Sequence, residues 1–487
     1  MLPSEPVRLR STRGRWILVA TVLGSSVASL DATVVNVALP RIGESLGTGV
    51  AGLQWTVNGY TLTLASFILL GGSLGDRLGR RKVFVWGALG FVATSLLCAL
   101  ATTVGLLVGA RLLQGVAGAL LTPGSLALLS ASIDKRDQGA AIGLWSGLGG
   151  VAGAVGPLVG GGLIQLAGWR SVFLLNVPLA LAVVAVALRW VPESRDPGAA
   201  RRIDVPGAAV VALALGALTY GLIDARPPFV VAGVFGLALF AVVEWRSPNP
   251  LVPLSLFASR VFTAANVVTL FVYAALGGVF FLLVLQLQLV AGYSPTAAGA
   301  ASLPVTVLML VLSAPAGRWA QRHGARVPLT AGPLAAAAGV FALQRVGPDA
   351  DYLTDVLPGV TIFGLGLAVL VAPLTGAVLG AVPETEAGIA SGVNNAVART
   401  AQLLAVAALP GLAGLSGAFA DPARFGAGFD TAMRWCVALL LAGAIVAAFA
   451  LRGTAPAAPA PDRVDCLPHC AGADGPALAP VRRAETA

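Results

Sequence analysis

Charge is what this chain most conspicuously lacks. Only 11% of its 487 residues are Asp, Glu, Lys or Arg, 22 of them acidic and 31 basic. A soluble domain carries about 25%. Too little polar surface remains to cover a chain of this length, which excludes an ordinary soluble enzyme, a nucleic-acid binder and a disordered protein. Histidine is scarcer still, with His323 and His469 alone. The four cysteines are Cys98, Cys436, Cys466 and Cys470. That is too few for the clustered His and Cys of a membrane-bound enzyme or sensor, and it implies no disulfide framework. Cys98 and Cys436 fall inside apolar runs and read as small core residues. Cys466, His469 and Cys470 share a DCLPHC string that offers three metal ligands where a structural site needs four. No metal and no cofactor is therefore expected. Lysine is nearly absent, with Lys82 and Lys135 against 29 arginines.

What fills the gap is hydrocarbon. The chain is 57% hydrophobic with a mean hydropathy of +0.86. The apolar residues come in runs of about 17 to 28, each long enough to cross a bilayer as a helix. Fourteen spans are expected, at 16–39, 51–74, 83–101, 104–128, 139–166, 171–190, 205–223, 228–245, 263–290, 296–319, 327–345, 356–380, 388–415 and 431–451. The net charge of +9 invites a nucleic-acid reading, but the basic residues are scattered in short runs between apolar blocks, as topology signals are. With the N-terminus in the cytoplasm, 23 of the 31 Lys and Arg fall on the inside and six on the outside. Arg111 and Arg399 fall within spans. Both termini are expected inside a cell membrane, and a bacterial inner membrane fits. The run from Trp16 is too long for a signal peptide and has no small-residue cleavage site.

The chain repeats itself. Gly72, Arg77, Gly79 and Arg81 in GSLGDRLGRR recur as Gly317, Arg322, Gly324 and Arg326 in GRWAQRHGAR, 245 residues on. Each string follows the second span of its half. LLTPGSL (120–126) is likewise answered by LVAPLTG (370–376). Duplication of a six-helix unit is a transporter architecture. The expected organisation is a tail over 1–15, a six-helix bundle over 16–191, a linker with two added spans over 192–262, a second bundle over 263–451 and a disordered tail over 452–487.

Few residues in the spans can do chemistry. Asp31 reads as the one acidic residue buried well inside a span. A carboxylate there must be paired, protonated or facing water, so it is either a reversible proton site or a structural acid bound to neighbouring helices. Arg111 is its natural partner. Both lie roughly 10–12 Å below the outer surface at about 1.5 Å per residue, so depth permits contact. The alternative is an Arg111 that snorkels to the headgroups. Gln114 lies on the same face one turn on, and Asn36 follows Asp31. Asn394, Asn395, Arg399 and Gln402 form a polar stripe on the thirteenth span, which either lines a substrate cavity or joins helices. Gly149, Gly153, Gly156 and Gly160 share one helical face and permit close helix approach, while Pro157 removes a donor and bends the helix. GSLGDRLGRRK (72–82) sets Asp76 among Arg77, Arg80, Arg81 and Lys82. It is either an anchor for anionic lipid or a set of charge contacts made to another helix end in one transport state only. Gln321 replaces Asp76 in the second copy, so such a latch is asymmetric.

These strings together resemble the major facilitator superfamily, an architecture of two six-helix halves. LDATVVNVALP (30–40) is similar to the first-helix signature of the fourteen-helix drug:proton antiporters, the EmrB/QacA subfamily. GSLGDRLGRRK is similar to the superfamily's loop motif, RLLQGVAGA (111–119) to its fourth-helix motif and GAVGPLVGG (153–161) to the fifth-helix motif of antiporters. GWRSVFLLNVP (168–178) and GIASGVNNAVARTAQ (388–402) also look like this subfamily. The resemblance implies an all-α membrane fold with two added central helices. It implies an exporter of drugs or natural products driven by the proton gradient, with Asp31 and Arg111 coupling protons. Asp76, with Gly72, Arg77, Gly79, Arg80 and Arg81, would be the conformational latch, and the glycines about Pro157 the antiporter bend. Its partners would be a small-molecule substrate, protons and the lipid bilayer, with no nucleic acid, and a monomer is expected. The departures are a second half whose spans hold no acid, which favours neutral, anionic or zwitterionic cargo, and a TAQLLAVA stretch without the expected glycines. The alternatives are transport of a metabolite, lipid or siderophore on the same fold and, more remotely, a membrane sensor or enzyme.

Overall fold

The computed structural model describes residues 7–196, 204–248, 250–383 and 386–451. Within them the chain is helical. The first six helices are α1 (Thr12–Leu46), α2 (Val50–Leu78), α3 (Arg80–Leu100), α4 (Val104–Ser132), α5 (Lys135–Ala167) and α6 (Ser171–Trp190). A hairpin of α7 (Val205–Ile223) and α8 (Pro227–Arg246) follows. The second set is α9 (Arg260–Leu289), α10 (Pro295–Ala301), α11 (Leu303–His323), α12 (Arg326–Ala342), α13 (Leu357–Gly380), α14 (Ala387–Leu412) and α15 (Pro422–Ala450). With α10 and α11 taken as one broken rod, this is the expected fourteen. Thirteen are long and apolar enough to cross a membrane. The fourteenth, α14, is diluted by Asn394, Asn395, Arg399 and Gln402. No strand is present among the described residues. One isolated parallel bridge, Val7 to Ile133, ties the N-terminal segment to the end of α4. The DCLPHC string and the tail over 452–487 lie outside the described residues.

Hydropathy located the rods, but capping chemistry sets their ends. α1 overruns the expected 16–39 at both ends. Ser11 caps it by accepting from the Gly14 N–H, and Gly47 ends it in the left-handed region at φ 61°. The last helix begins at Pro422, nine residues before the expected 431. Asp421 accepts from the Arg424 N–H, and Pro422 occupies the first turn, where its missing N–H costs nothing. Arg424 and Asp430 had hidden this stretch from hydropathy. The expectation that the second-half spans hold no acid is corrected with it, since Asp430 lies within α15. The expected span at 296–319 is interrupted at Ser302.

Packing follows from small residues. Between helices in lipid, apolar burial supplies no net drive, so close van der Waals contact must do the work. α2 and α4 meet where a Cβ on Gly71 would strike the Ala119 carbonyl and one on Gly115 the Tyr60 carbonyl. One core fills the space among α1, α2, α3, α4 and α6 around Phe84, Phe91, Leu121 and Leu128. A larger one surrounds α9, the most buried rod, and takes in Phe363, Phe425 and Phe429. α7 lies against α2 and α14, while α8 packs chiefly on α7 and is the least buried rod.

The two sets of helices are stitched together at the end of the molecule where α1 finishes. The Gln54 amide donates to the carbonyls of Val406 (2.7 Å) and Ala407 (2.9 Å). Gln288 donates to the Val37 carbonyl at 3.0 Å, and Thr296 to Gln165 at 2.8 Å.

Candidate functional site

Asp31 stands near the middle of α1, and Arg111 two turns into α4. The two helices pack together, and the side chains meet. Arg111 Nη1 donates to Asp31 Oδ2 at 2.5 Å. Both residues are 1% exposed, so Arg111 does not snorkel to the headgroups. Gln114 joins them, accepting from Arg111 Nη1 (2.7 Å) and donating to Asp31 Oδ1 (3.2 Å). Two residues that sequence reasoning passed over complete the set. Asn176 of α6 donates to Asp31 Oδ1 at 2.8 Å. Ser95 of α3 accepts from Gln114 (2.9 Å) and from Asn176 (3.4 Å). The Arg111 Nε donates to the Thr56 carbonyl of α2 at 3.0 Å. The guanidinium lies 4.5 Å from the Tyr60 ring centre and 5.9 Å from that of Phe173. Cys98, expected only to fill the core, is buried with its Sγ 3.6 Å from Gln114 Oε1.

The arrangement has a definite logic. An ionised carboxylate can only accept, and the donors on Asp31 come from Arg111, Gln114 and Asn176. Desolvating two charges is expensive and is offset only when geometry and hydrogen bonding are both good. Five helices supply that geometry here. Adding a proton to Asp31 would cancel the charge that holds Arg111, so the network joins α1, α2, α3, α4 and α6 around one carboxylate.

A second locus lies at the far end of α2. The stretch expected to be a Gly-rich loop is mostly helix, since α2 runs to Leu78 and α3 starts at Arg80. Gly79 alone makes the turn, at φ 120°. The Asp76 carboxylate pairs at 2.7 Å with Arg80, across that turn at the start of α3, and makes no other ion pair among the described residues. The contact between elements comes from Glu193, which was not anticipated. It accepts from the Arg81 N–H at 3.0 Å, while Arg81 Nη1 donates to the Val191 carbonyl at 3.0 Å. The Arg80 N–H donates to the Ser194 carbonyl (2.9 Å), and the Asp196 N–H to the Asp76 carbonyl (3.0 Å). Gly72 is half-buried and Arg77 exposed. The second copy keeps the plan. Gly324 turns between α11 and α12 at φ 92°, and Arg326 Nε donates to the Ala448 carbonyl at 3.1 Å.

Comparison with known proteins places this architecture. The profile of the Major Facilitator Superfamily matches residues 21–406. The chain belongs to the Major Facilitator Superfamily. It is 35% identical over 409 residues to the tetracenomycin C resistance and export protein of Streptomyces glaucescens, covering 82% of this chain and 76% of that one. It is 34% identical over 408 residues to a methylenomycin A resistance protein of Bacillus subtilis (strain 168), covering 82% and 87%. Among solved structures, a POT family transporter in complex with 5-aminolevulinic acid superposes with a TM-score of 0.69 at 13% identity, covering 91% of this chain and 96% of that one. That likeness concerns the fold alone. A Major Facilitator protein is a membrane transporter and not an enzyme.

The remaining residues singled out from sequence divide in this Major Facilitator protein. On α5, Gly156 abuts Leu30 and Thr33 of α1, and Gly160 abuts Val34. Gly149 is only in ordinary contact with Ser25, and Gly153 faces open space, so the four-glycine face is a two-glycine contact. Gly161 instead carries the approach to Pro295 and Thr296 of the second half, where Gly299 in turn packs on the Pro157 carbonyl. Asn394 is a helix joiner, donating to Asn266 (3.1 Å) and Thr269 (2.8 Å) of α9. Asn395, Arg399 and Gln402 are half-buried and make no side-chain hydrogen bond or ion pair among the described residues. Asn36 is half-buried with an unpartnered Oδ1. None of these belongs to the Asp31 network. One signal for Asn176 was present, a lone amide in an otherwise apolar span. Ser95 had none.

Proposed function

We propose that this protein is a proton-coupled exporter of small amphipathic natural products or drugs. The observation that carries the reading is the buried Asp31–Arg111 pair, a carboxylate with three donors and no solvent access. Burial on this scale is expensive, and an ionisable residue held within a span is by default a functional one. Protonation of Asp31 releases Arg111, and the packed helices that share the network repack between two arrangements. Support for the cargo class comes from relatives named for resistance to or export of tetracenomycin C, methylenomycin A and puromycin. A second relative type, a probable actinorhodin transporter, points the same way. The half-buried Arg399 on α14 favours neutral, anionic or zwitterionic cargo over cations. The chain sits in a bacterial plasma membrane as a monomer with both termini cytoplasmic, and its halves over 16–191 and 263–451 rock about a central cavity. On that orientation, the contacts of Gln54, Gln288 and Thr296 seal the outer side.

The test is efflux. A sensitive bacterial host expressing the protein is challenged with puromycin, tetracenomycin C and methylenomycin A, wild type against D31N. Protection by the wild type that is lost in D31N, with equal amounts of both in the membrane, supports the reading. Equal protection by both overturns the role of Asp31.

A further inference from the structure

A second buried carboxyl pair lies outside the transport network, in the α7–α8 hairpin. Because the two helices run antiparallel, the start of α7 lies beside the end of α8. Asp204 caps α7, its Oδ1 accepting from the Gly207 N–H at 2.8 Å. Glu244 stands in the last turn of α8, its Oε2 accepting from the Val252 N–H at 2.8 Å. Both converge on Gly207, where an added Cβ would sit 2.5 Å from Glu244 Oε1 and 3.1 Å from Asp204 Oδ1. Glu244 is 2% and Asp204 9% exposed. The second oxygen of each, Glu244 Oε1 and Asp204 Oδ2, is buried without a hydrogen-bond partner. Asp31 was expected to be the one acid buried well inside a span; Glu244 is a second buried acid, at the end of one.

Two like charges on one glycine, with no cation facing them among the described residues, cannot both persist out of water. An orphaned buried acceptor adds its own cost. One proton removes both penalties by turning an acceptor into a donor. A helix end decides where it sits. The C-terminus of α8 opposes charge on Glu244. No group of three or more metal ligands is present among the described residues, so a metal ion lacks the ligand set it would need. Arg246, the other charged residue at this end of α8, is exposed.

We propose that Asp204 and Glu244 form a buried proton-binding site, separate from Asp31, which clasps the α7–α8 hairpin shut. The proton comes from water and resides on Glu244 Oε1, beside the Asp204 carboxylate. Through Val252 the same carboxyl holds the segment that leads to α9. Loss of the proton drives the two carboxylates apart and frees the link between the two halves.

Thermal unfolding of the full-length protein in detergent, from about pH 5 to about pH 9, tests this. Folding that retains a proton loses stability as pH rises, by up to tenfold in the unfolding equilibrium per pH unit for one proton. The wild-type melting temperature should therefore decline across a window in which E244Q, with a permanent donor, does not. D204N, which removes the opposing charge, should move the decline to lower pH. Parallel curves for wild type and both variants would overturn the site. Should E244Q fail to fold, the D204N comparison decides alone, and a decline identical to wild type overturns it. Sodium or calcium that stabilises the wild type at high pH but neither variant would also overturn the proton assignment, in favour of a cation.

Discussion

Arg81 and Arg326 do the same job 245 residues apart. Arg81 Nη1 donates to the Val191 carbonyl at the end of α6, and Arg326 Nε to the Ala448 carbonyl at the end of α15, at 3.0 and 3.1 Å. Two more arginines complete the parallel. Arg13, in the first helix of its half, donates to the Trp190 carbonyl at 3.1 Å, and Arg260 to the Phe449 carbonyl at 3.3 Å. In each half, the closing helix leaves carbonyls without intrahelical partners, and cations from the first and third helices of that half cover them. The internal repeat is therefore a repeated helix-end contact as well as a string of letters.

That symmetry makes R81A and R326A comparable. Each removes one charge-assisted contact at a helix C-terminus, a loss of about 1 kcal/mol, and R81A also removes a long, partly exposed ion pair to Glu193 at 3.9 Å, which adds little. Thermal melts of the two variants should shift by similar amounts. A large loss in one and none in the other would break the parallel.

The turn glycines should behave differently from each other. Gly79 and Gly324 both hold positive φ, 120° and 92°, so alanine strains either one. A Cβ on Gly79 would also meet the Glu193 carboxylate at 2.8 Å, whereas nothing lies within 4 Å of one on Gly324. G79A should therefore lower the melting temperature more than G324A, and G79A/E193A should recover part of the difference.

Removing one member of the buried pair should be worse than removing both. R111A strands the Asp31 charge, which costs about 3–5 kcal/mol in comparable buried pairs. D31N/R111Q leaves two neutral amides in the same space. The double variant should reach the membrane in larger amounts than R111A, as read by quantitative blotting of membrane fractions, yet export nothing.

Asn176 should matter for its hydrogen bond. N176L removes a donor from Asp31 Oδ1 and leaves that oxygen to Gln114 alone, a loss of about 1–3 kcal/mol. N176S, shorter but still a donor, should recover part of the lost melting temperature and part of the protection against puromycin. Equal effects of the two would show that Asn176 only fills space.

Much of this was legible in the sequence because the bilayer imposes a length. Runs of that length found fourteen rods, and the polar α14 was among them because its flanks are apolar. Depth arithmetic put Asp31 and Arg111 at one level. It could not tell which helices touch, which depends on small residues such as Gly71 and Gly115 in α2 and α4. Ser95 and Asn176 stayed hidden because a single small polar group in an apolar span is cheap and common. The start of the last helix was misjudged because charge enters its first turns, at Arg424 and Asp430. Glu244 was missed for the related reason that a charge near a span end reads as solvated. Gly153 was misplaced because sharing a face with Gly156 does not ensure a neighbour opposite.

Proton movement in reconstituted vesicles tests the central claim most directly. Protein in liposomes that carry an internal pH dye is given puromycin, and proton flux is recorded for wild type and D31N at matched reconstitution. The account expects puromycin to release protons across the wild-type membrane and to move none through D31N. Equal proton flux through D31N would contradict it.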